Sequence, residues 1–192
     1  MKVFCSLLFL FFFSFSAAYA KSPVHVESVQ ADFTQEKNLP ILARPLFSTG
    51  RFLFQAADSL RWEYFSPLPS VLLMDHGQVR KFVKNNDVFT EEQGMGLDAM
   101  QVVLQEITGW LDGEITDTAT FHAERRDEKT IVLTPKKPAF AKIISRIVLI
   151  VVDESGLMES VTIHEGENSF TRMVFTNSVL NTTIPAARFT TP

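Results

Sequence analysis

Residues 48–77, STGRFLFQAADSLRWEYFSPLPSVLLMDHG, contain the pattern that decides the fold of this chain. Polar and apolar side chains alternate on both sides of residues 56–58, and successive side chains of a strand point to opposite faces. The two segments therefore predict a β-hairpin with one apolar, aromatic-rich face. The residues that share this face are Gly50, Phe52, Phe54, Leu60, Trp62 and Tyr64. Such a face has to be covered, either by the rest of the protein or by a ligand.

Further strands are predicted before and after this hairpin. Pro67 and Pro69 interrupt strand pairing, because proline has no N–H to donate to a strand ladder. The segments predicted to be strands are residues 29–34, 50–55, 60–64, 71–74, 78–83, 88–90, 130–133, 143–152, 157–165 and 169–176. They contain no internal repeat. We therefore predict a mainly β, α+β fold, in which a single antiparallel sheet wraps strongly around one or two helices.

One segment has helical rather than alternating periodicity. Between residues 97 and 111, apolar side chains recur at intervals of three and four, which predicts an amphipathic helix. The apolar stripe consists of Leu97, Met100, Val103, Leu104, Ile107, Trp110 and Leu111. This stripe either packs on the sheet or covers an apolar cavity, and periodicity alone leaves both interpretations open.

The start of the chain has the features of a secretory signal peptide. A basic residue precedes an apolar run at residues 3–15, and an A-x-A cleavage motif ends at Ala20. The apolar run is shorter than the roughly 20 residues of a membrane-spanning helix, and Cys5 is not at the cleavage site, where a lipid anchor would require it. We expect residues 1–20 to be removed and residues 21–192 to form a single exported domain.

Charge and cysteine content exclude several classes of function. The chain has 18 basic and 22 acidic residues, and loss of Lys2 with the signal peptide changes its formal charge from −4 to −5. Nucleic-acid binding rests on clustered Lys and Arg that neutralise phosphates, so we expect no nucleic-acid partner. The single cysteine, Cys5, lies in the signal peptide. The mature domain therefore has neither a disulfide nor a catalytic thiol.

No residue pattern indicates catalysis or metal binding. Residues 94–99 match the dinucleotide motif G-x-G-x-x-A, but no βαβ unit surrounds them, and Glu91 and Glu92 would repel a pyrophosphate. The four histidines lack the short spacings of zinc sites, and no serine lies in a G-x-S-x-G elbow. We therefore expect no enzymatic activity, no catalytic residue, no metal and no cofactor.

A series of short motifs, in this order, resembles the periplasmic lipoprotein carriers of the LolA type. The motifs are Ala31-Asp32-Phe33-Thr34-Gln35, Gly50, Leu60-Arg61-Trp62, the Asp75-His76-Gly77 turn, Val132-Leu133-Thr134-Pro135-Lys136 and Phe189-Thr190-Thr191-Pro192. No single motif is diagnostic, but their order and spacing extend over nearly the whole of residues 21–192.

The resemblance implies an unclosed β-barrel whose concave apolar face is covered by one or two helices and takes up acyl chains. It also implies a periplasmic location, an acylated lipoprotein or other lipid as cargo, a transporter in the inner membrane and an acceptor at the outer membrane. We expect a monomer. The residues expected to line the lipid-binding cavity are Phe33, Phe52, Phe54, Trp62, Tyr64, Met100, Leu104, Ile107 and Trp110.

Two departures from the family pattern leave the cargo open. Residues 23–28 leave room for only about one or two helical turns before the first strand, at 3.6 residues per turn. Ala56 and Ala57 stand where family members have an Arg-Pro pair, whose Arg helps to latch the lid. The cargo is therefore a lipoprotein or another amphiphile, such as a glycolipid or an acylated pigment. Alternatively, the domain is an envelope sensor or scaffold that binds a protein with the same sheet.

Overall fold

The computed structural model describes residues 26–56, 59–92, 106, 109–110, 115–152, 157–166 and 168–192. Within them the chain forms one sheet of eleven strands and two short helices. The strands are β1 (Ser28–Asn38), β2 (Leu46–Gln55), β3 (Ser59–Ser66), β4 (Ser70–Asp75), β5 (Gln78–Asn85), β6 (Val88–Glu92), β7 (Phe121–Arg125), β8 (Thr130–Pro135), β9 (Arg146–Val151), β10 (Met158–His164) and β11 (Phe170–Leu180). The helices are α1 (Pro138–Ala141) and α2 (Ala187–Thr190). No helix in this part of the chain is long and apolar enough to cross a membrane.

The sheet consists of two antiparallel meanders that are joined through the first and last strands. Its order is β6-β5-β4-β3-β2-β1-β11-β10-β9-β8-β7, with β1 paired to β11 over most of their length. β6 and β7 are the two edges and do not pair with each other, so the sheet is not closed. The prediction of a mainly β fold with an unclosed antiparallel barrel is confirmed.

Strong curvature of the sheet follows from its core. Leu72 on β4 and Ile147 on β9 belong to the same cluster of buried side chains, although six strand-to-strand steps separate them along β4-β3-β2-β1-β11-β10-β9. In a flat sheet, with about 4.8 Å between strands, those steps would span roughly 29 Å. The two halves of the sheet must therefore curl toward each other. We call the enclosed face, which carries Phe52 and Trp62, the inner face.

The predicted register of the hairpin is confirmed. Phe52 lies opposite Trp62, and Phe54 lies opposite Leu60, so the aromatic side chains of β2 and β3 share the inner face. Phe33 on β1 lies opposite Gly50 on β2. Alternation alone was sufficient here, because a shift of one residue would move every apolar side chain of a strand to the other face.

The boundaries of some strands differ from the prediction. β7 was not predicted, because its five residues, FHAER, include only two apolar side chains. It forms because its backbone pairs with β8. The strand predicted at residues 143–152 is shorter, since β9 begins at Arg146 and an exposed Ile143 precedes it. Most of the predicted helix at residues 97–111 lies outside the described residues, but Gly109 and Trp110 are helical.

Gly50 is required by the close packing of the inner face. A Cβ atom at this position would lie 2.0 Å from the backbone oxygen of Glu63 and 2.5 Å from Cζ of Phe33. Both distances are far below van der Waals contact, so no larger residue fits without a shift of the backbone. The missing side chain lets the Phe33 ring lie over the β2 backbone and pack edge-on against Tyr64, with 5.2 Å between ring centroids.

The C-terminal segment packs on the opposite, outer face of the sheet. Ile184 and Phe189 form a small buried cluster with Leu53 of β2. Beside it, the Arg61 guanidinium of β3 donates from Nη1 to the backbone oxygens of Arg188 at 3.1 Å and Thr191 at 2.7 Å. The prediction that Arg61 points away from Trp62 is confirmed, and the outer face is where the chain end is attached.

Candidate ligand cavity

A cavity of about 280 Å³ lies against the inner face of the sheet. Its wall is mainly apolar and includes residues of β1, β2, β3, β4, β9, β10 and β11, together with Trp110. The volume is close to the lower end of the range for small-molecule pockets, roughly 300–1,000 Å³. A pocket with this lining favours an apolar ligand over a charged one.

The predicted site residues separate into three groups. Phe52, Trp62, Tyr64 and Trp110 lie in the wall of the cavity. Phe33 and Phe54 are on the same face of the sheet but belong to the packed core outside the wall, and they are 2% and 1% exposed. The remaining three predicted residues, Met100, Leu104 and Ile107, lie outside the described residues.

An aromatic cluster separates the cavity from the packed core. The rings of Phe33 and Phe52 both contact the Trp62 indole, with centroid distances of 5.4 and 5.3 Å. Phe175 of β11 lies 6.2 Å from Phe52 and 6.5 Å from Phe33. Tilted and edge-to-face pairs of this kind are worth about 0.5–1.5 kcal/mol each beyond their buried area. The cluster therefore holds the Trp62 ring in a defined orientation at the cavity wall.

Sequence reasoning missed the part of the wall that comes from the second meander. Ile147 of β9, Val161 of β10, and Met173 and Phe175 of β11 all line the cavity. Their strands were predicted, and the alternation of apolar residues in β11 could have indicated that Met173 and Phe175 share a face. What could not be deduced is that this face meets the aromatic face of β2 and β3, because that contact depends on the curvature of the sheet.

The cavity is polar at one end. Along the inner side of β1, Val29 and Ala31 are followed by Gln35 and Lys37, and all four residues line the cavity. Lys37 Nζ lies 3.5 Å from Oε1 of Glu165, and both side chains are about one-third exposed. An ion pair with this exposure contributes at most about 1 kcal/mol. The arrangement suits a ligand with an apolar part and a polar end.

Tyr64 links the aromatic wall to the polar end. Its hydroxyl donates to Oε1 of Gln35 at 2.8 Å. Burial raises the pKa of Tyr64 to about 12, and the nearby Trp62 N–H offsets only part of this shift. Because the pKa of the phenol is raised, the group stays protonated at neutral pH and acts as a hydrogen-bond donor.

Three buried polar atoms have no hydrogen-bond partner among the described residues. They are the indole Nε1 atoms of Trp62 and Trp110 and the hydroxyl Oγ1 of Thr171. All three residues lie in the wall of the cavity. Buried polar groups are hydrogen-bonded in the large majority of cases, so three unpaired groups around one cavity need an explanation.

The perturbed carboxylates lie away from the cavity. A hydrogen bond from Asn177 and one from Arg51 lower the pKa of Asp32, and a hydrogen bond with His122 lowers that of Asp117. Neither carboxylate is part of the cavity wall. In the part of the chain that the structure describes, no group of three or more His, Cys, Asp or Glu residues could hold a metal ion. The arrangement of the described residues can bind a ligand but places no acid–base pair beside it.

The position that corresponds to the family's latch arginine is partly buried. Ala56 packs against the inner-face cluster, and its backbone N–H donates to the backbone oxygen of Glu27 at 2.8 Å. The residue thus ties the end of β2 to the segment before β1. Its methyl group provides packing but no polar contact with a covering segment.

Comparison with known sequences and structures places the chain in context. The family model described as "Outer membrane lipoprotein carrier protein LolA" matches residues 24–192. No curated protein sequence matches significantly. A DUF1329 family protein from Desulfovibrio piger is 12% identical, with a TM-score of 0.47 over 85% of this chain and 90% of that chain. A LolA superfamily protein from Nitrosomonas europaea is 10% identical, with a TM-score of 0.41 over 88% and 92%. A chain of the Pseudomonas aeruginosa MucA/MucB complex is 13% identical, with a TM-score of 0.41 over 84% and 54%.

Proposed function

This chain belongs to the LolA family of outer membrane lipoprotein carrier proteins, and from that premise we propose that it is a periplasmic carrier. It binds the acyl chains of a lipoprotein or a related lipid in the inner-face cavity and carries them from the inner to the outer membrane. The observation that supports this proposal is the cavity itself, which has an apolar wall and one polar end. An enclosed pocket of this kind serves an amphiphile better than it serves a flat protein surface.

Hydrophobic transfer supplies the energy for such a carrier. A lipid chain loses about 0.8 kcal/mol per CH₂ group when it moves from an apolar environment to water. The carrier must offset several of these groups and still release the cargo. Met158 and Met173 line the cavity, and unbranched, polarizable methionine side chains adapt to ligands of different shape. This wall suits moderate affinity for a flexible chain.

The family implies two membrane partners for the proposed carrier. One is a transporter in the inner membrane that loads the cargo, and the other is an acceptor at the outer membrane that removes it. The carrier itself performs no covalent step in this scheme. Its ligand contacts include Phe52, Trp62, Tyr64 and Trp110 from the described wall, with Met100, Leu104 and Ile107 contributed by the covering segment.

Secretion and processing form the first testable part of the proposal. The mature protein should begin at Lys21, because an A-x-A motif ends at Ala20. N-terminal sequencing of the protein from a periplasmic extract should therefore find Lys21 as the first residue. Retention of Met1, or fractionation with integral membrane proteins, would contradict this expectation.

Lipid extraction tests the carrier function directly. The mature protein should be purified from the periplasm without detergent, and the extracted material should be identified by mass spectrometry. We expect acylated material, and after delipidation we expect a lysolipid to raise the thermal midpoint of unfolding in proportion to its occupancy.

The identity of the extracted material separates the alternatives. An acylated lipoprotein supports the cargo proposed here, whereas a glycolipid or an acylated pigment replaces that cargo and keeps the carrier function. If no lipid is extracted and no lysolipid stabilises the delipidated protein, the carrier proposal is wrong. A protein that co-purifies stoichiometrically in that case would support an envelope sensor or scaffold.

A further inference from the structure

The two tryptophans of the chain are Trp62 and Trp110, and they share an unusual feature. Their side chains are 8% and 2% exposed, both line the inner-face cavity, and neither indole N–H has a hydrogen-bond partner among the described residues. Buried tryptophans usually find a partner for this group. The two rings come from different parts of the fold, so the shared feature belongs to the cavity and not to one local sequence.

The chemistry of the indole restricts what can satisfy it. An indole nitrogen is a donor only, so the partner must be a hydrogen-bond acceptor. The surroundings of Trp62 are apolar, since its ring packs between Phe33 and Phe52. A carboxylate or phosphate placed there would lose its hydration without a cation in return, because Lys37 stands at the polar end beside Glu165. A neutral oxygen is the acceptor that this environment favours.

We propose that the ligand of this cavity carries an ester or amide carbonyl within its apolar part, and that this oxygen accepts a hydrogen bond from the indole N–H of Trp62 or Trp110. The inference rests on the carrier function proposed above and specifies its ligand class. A fatty-acyl ester or amide is selected over a plain hydrocarbon or an alkyl ether of the same length.

Ligand binding must include a small rotation of at least one indole. Both Nε1 atoms are buried, so an acceptor reaches the N–H only when the ring turns toward it as the chain inserts. The protein without an acceptor at this point carries the cost of an unpaired buried donor, about 1–3 kcal/mol for each group. Relief of that cost by the carbonyl is the source of the selectivity.

A matched pair of lipids tests this selectivity. A palmitoyl monoglyceride and the hexadecyl glycerol ether have the same chain length and head group and differ only in the carbonyl. We expect wild-type mature protein to bind the ester about tenfold more tightly, because tenfold corresponds to about 1.4 kcal/mol, within the range for one relieved donor. Titration of the delipidated protein with each lipid gives the two dissociation constants.

Matched variants identify the donor. Trp62→Phe and Trp110→Phe each remove one N–H but keep an aromatic ring, and we expect one of them to reduce the ester preference to less than about threefold. Phe52→Leu is the control, because Phe52 contacts the same indole but has no polar group. It should weaken ester and ether binding by the same factor and leave their ratio unchanged.

Spectroscopy gives a readout that does not depend on the variants folding. Nitrogen–proton correlation spectra of the wild type contain two indole signals, one for each tryptophan. The ester should move at least one of them downfield, and the ether should not. Equal affinities for the two lipids, or an ester preference that survives both Trp→Phe changes, would overturn the inference and leave the carrier function standing. Failure of the wild type to bind either lipid would instead overturn the carrier function, and this inference with it.

Discussion

Truncation of Phe54 to Ala should lower the free energy of unfolding by about 3–5 kcal/mol and leave affinity for an acyl chain nearly unchanged. Phe54 is 1% exposed, and it lies between Val29 of β1 and Leu60 of β3 on the inner face of the sheet. It is not part of the cavity wall. The substitution therefore leaves a void in packed core, where each missing contact counts against the folded state.

Trp62→Ala is the matched variant and should behave in the opposite way. Trp62 is on the next strand of the same face, but one part of its ring borders the cavity. It therefore has fewer neighbours to lose, and we expect a smaller loss of stability than for Phe54→Ala despite the larger side chain. The main loss should appear in acyl-chain binding.

Denaturant unfolding of the wild type and both variants, with and without a lysolipid, measures both effects. A ligand at about 100 times its dissociation constant stabilises a protein by about 2.7 kcal/mol. Wild type and Phe54→Ala should gain this increment, and Trp62→Ala should gain much less. If both variants lose 3–5 kcal/mol and no protein responds to the lipid, the wall is ordinary core and the carrier proposal is wrong.

Arg61→Met should lower the free energy of unfolding by about 3–5 kcal/mol, because it removes one member of a buried charge pair. Arg61 is 5% exposed, and its Nε lies 2.8 Å from Oε2 of Glu63. The substitution keeps the apolar stem but leaves the Glu63 carboxylate and the backbone oxygens of Arg188 and Thr191 without this donor. We also expect the C-terminal segment to become accessible to proteases.

Arg80→Met is the control for this effect. Arg80 also donates to the C-terminal segment, from Nη2 to the backbone oxygen of Thr190 at 2.9 Å, but this contact is exposed. A single exposed hydrogen bond contributes about 1 kcal/mol or less, so Arg80→Met should cost far less than Arg61→Met. Chemical denaturation and limited proteolysis measure both variants. Equal losses would show that burial of Arg61 is not the source of its effect.

A double variant separates the lost contacts from the buried charge that remains. Replacing Arg61 by Met and Glu63 by Leu removes both members of the pair, and apolar replacement of a whole buried pair is often nearly neutral. We therefore expect the double variant to recover part of the stability that Arg61→Met loses. A double variant that is less stable than Arg61→Met would show that the carbonyl contacts of Arg61 dominate.

Local pattern was enough to determine the strands of the hairpin and the face that each side chain occupies. Alternation in residues 48–77 placed Phe52 opposite Trp62 and sent Arg61 to the other side, as the structure has them. This works because the side-chain period of a strand is two, so an apolar face specifies its own register. Where the apolar signal was short, as in β7, the same reasoning found nothing, since only pairing with β8 makes that segment a strand.

The sequence by itself determined a mainly β domain with one aromatic sheet face, and through its ordered motifs it indicated the LolA family. Only the tertiary structure decided which of those aromatics border a cavity and which are core. Phe54 and Trp62 follow the same alternation, yet one lies in packed core and the other lies in the wall. The difference comes from β9, β10 and β11, whose side chains reach this face because the sheet curls. Contacts such as that of Arg61 with Thr191, 130 residues apart in the chain, are equally invisible to local periodicity.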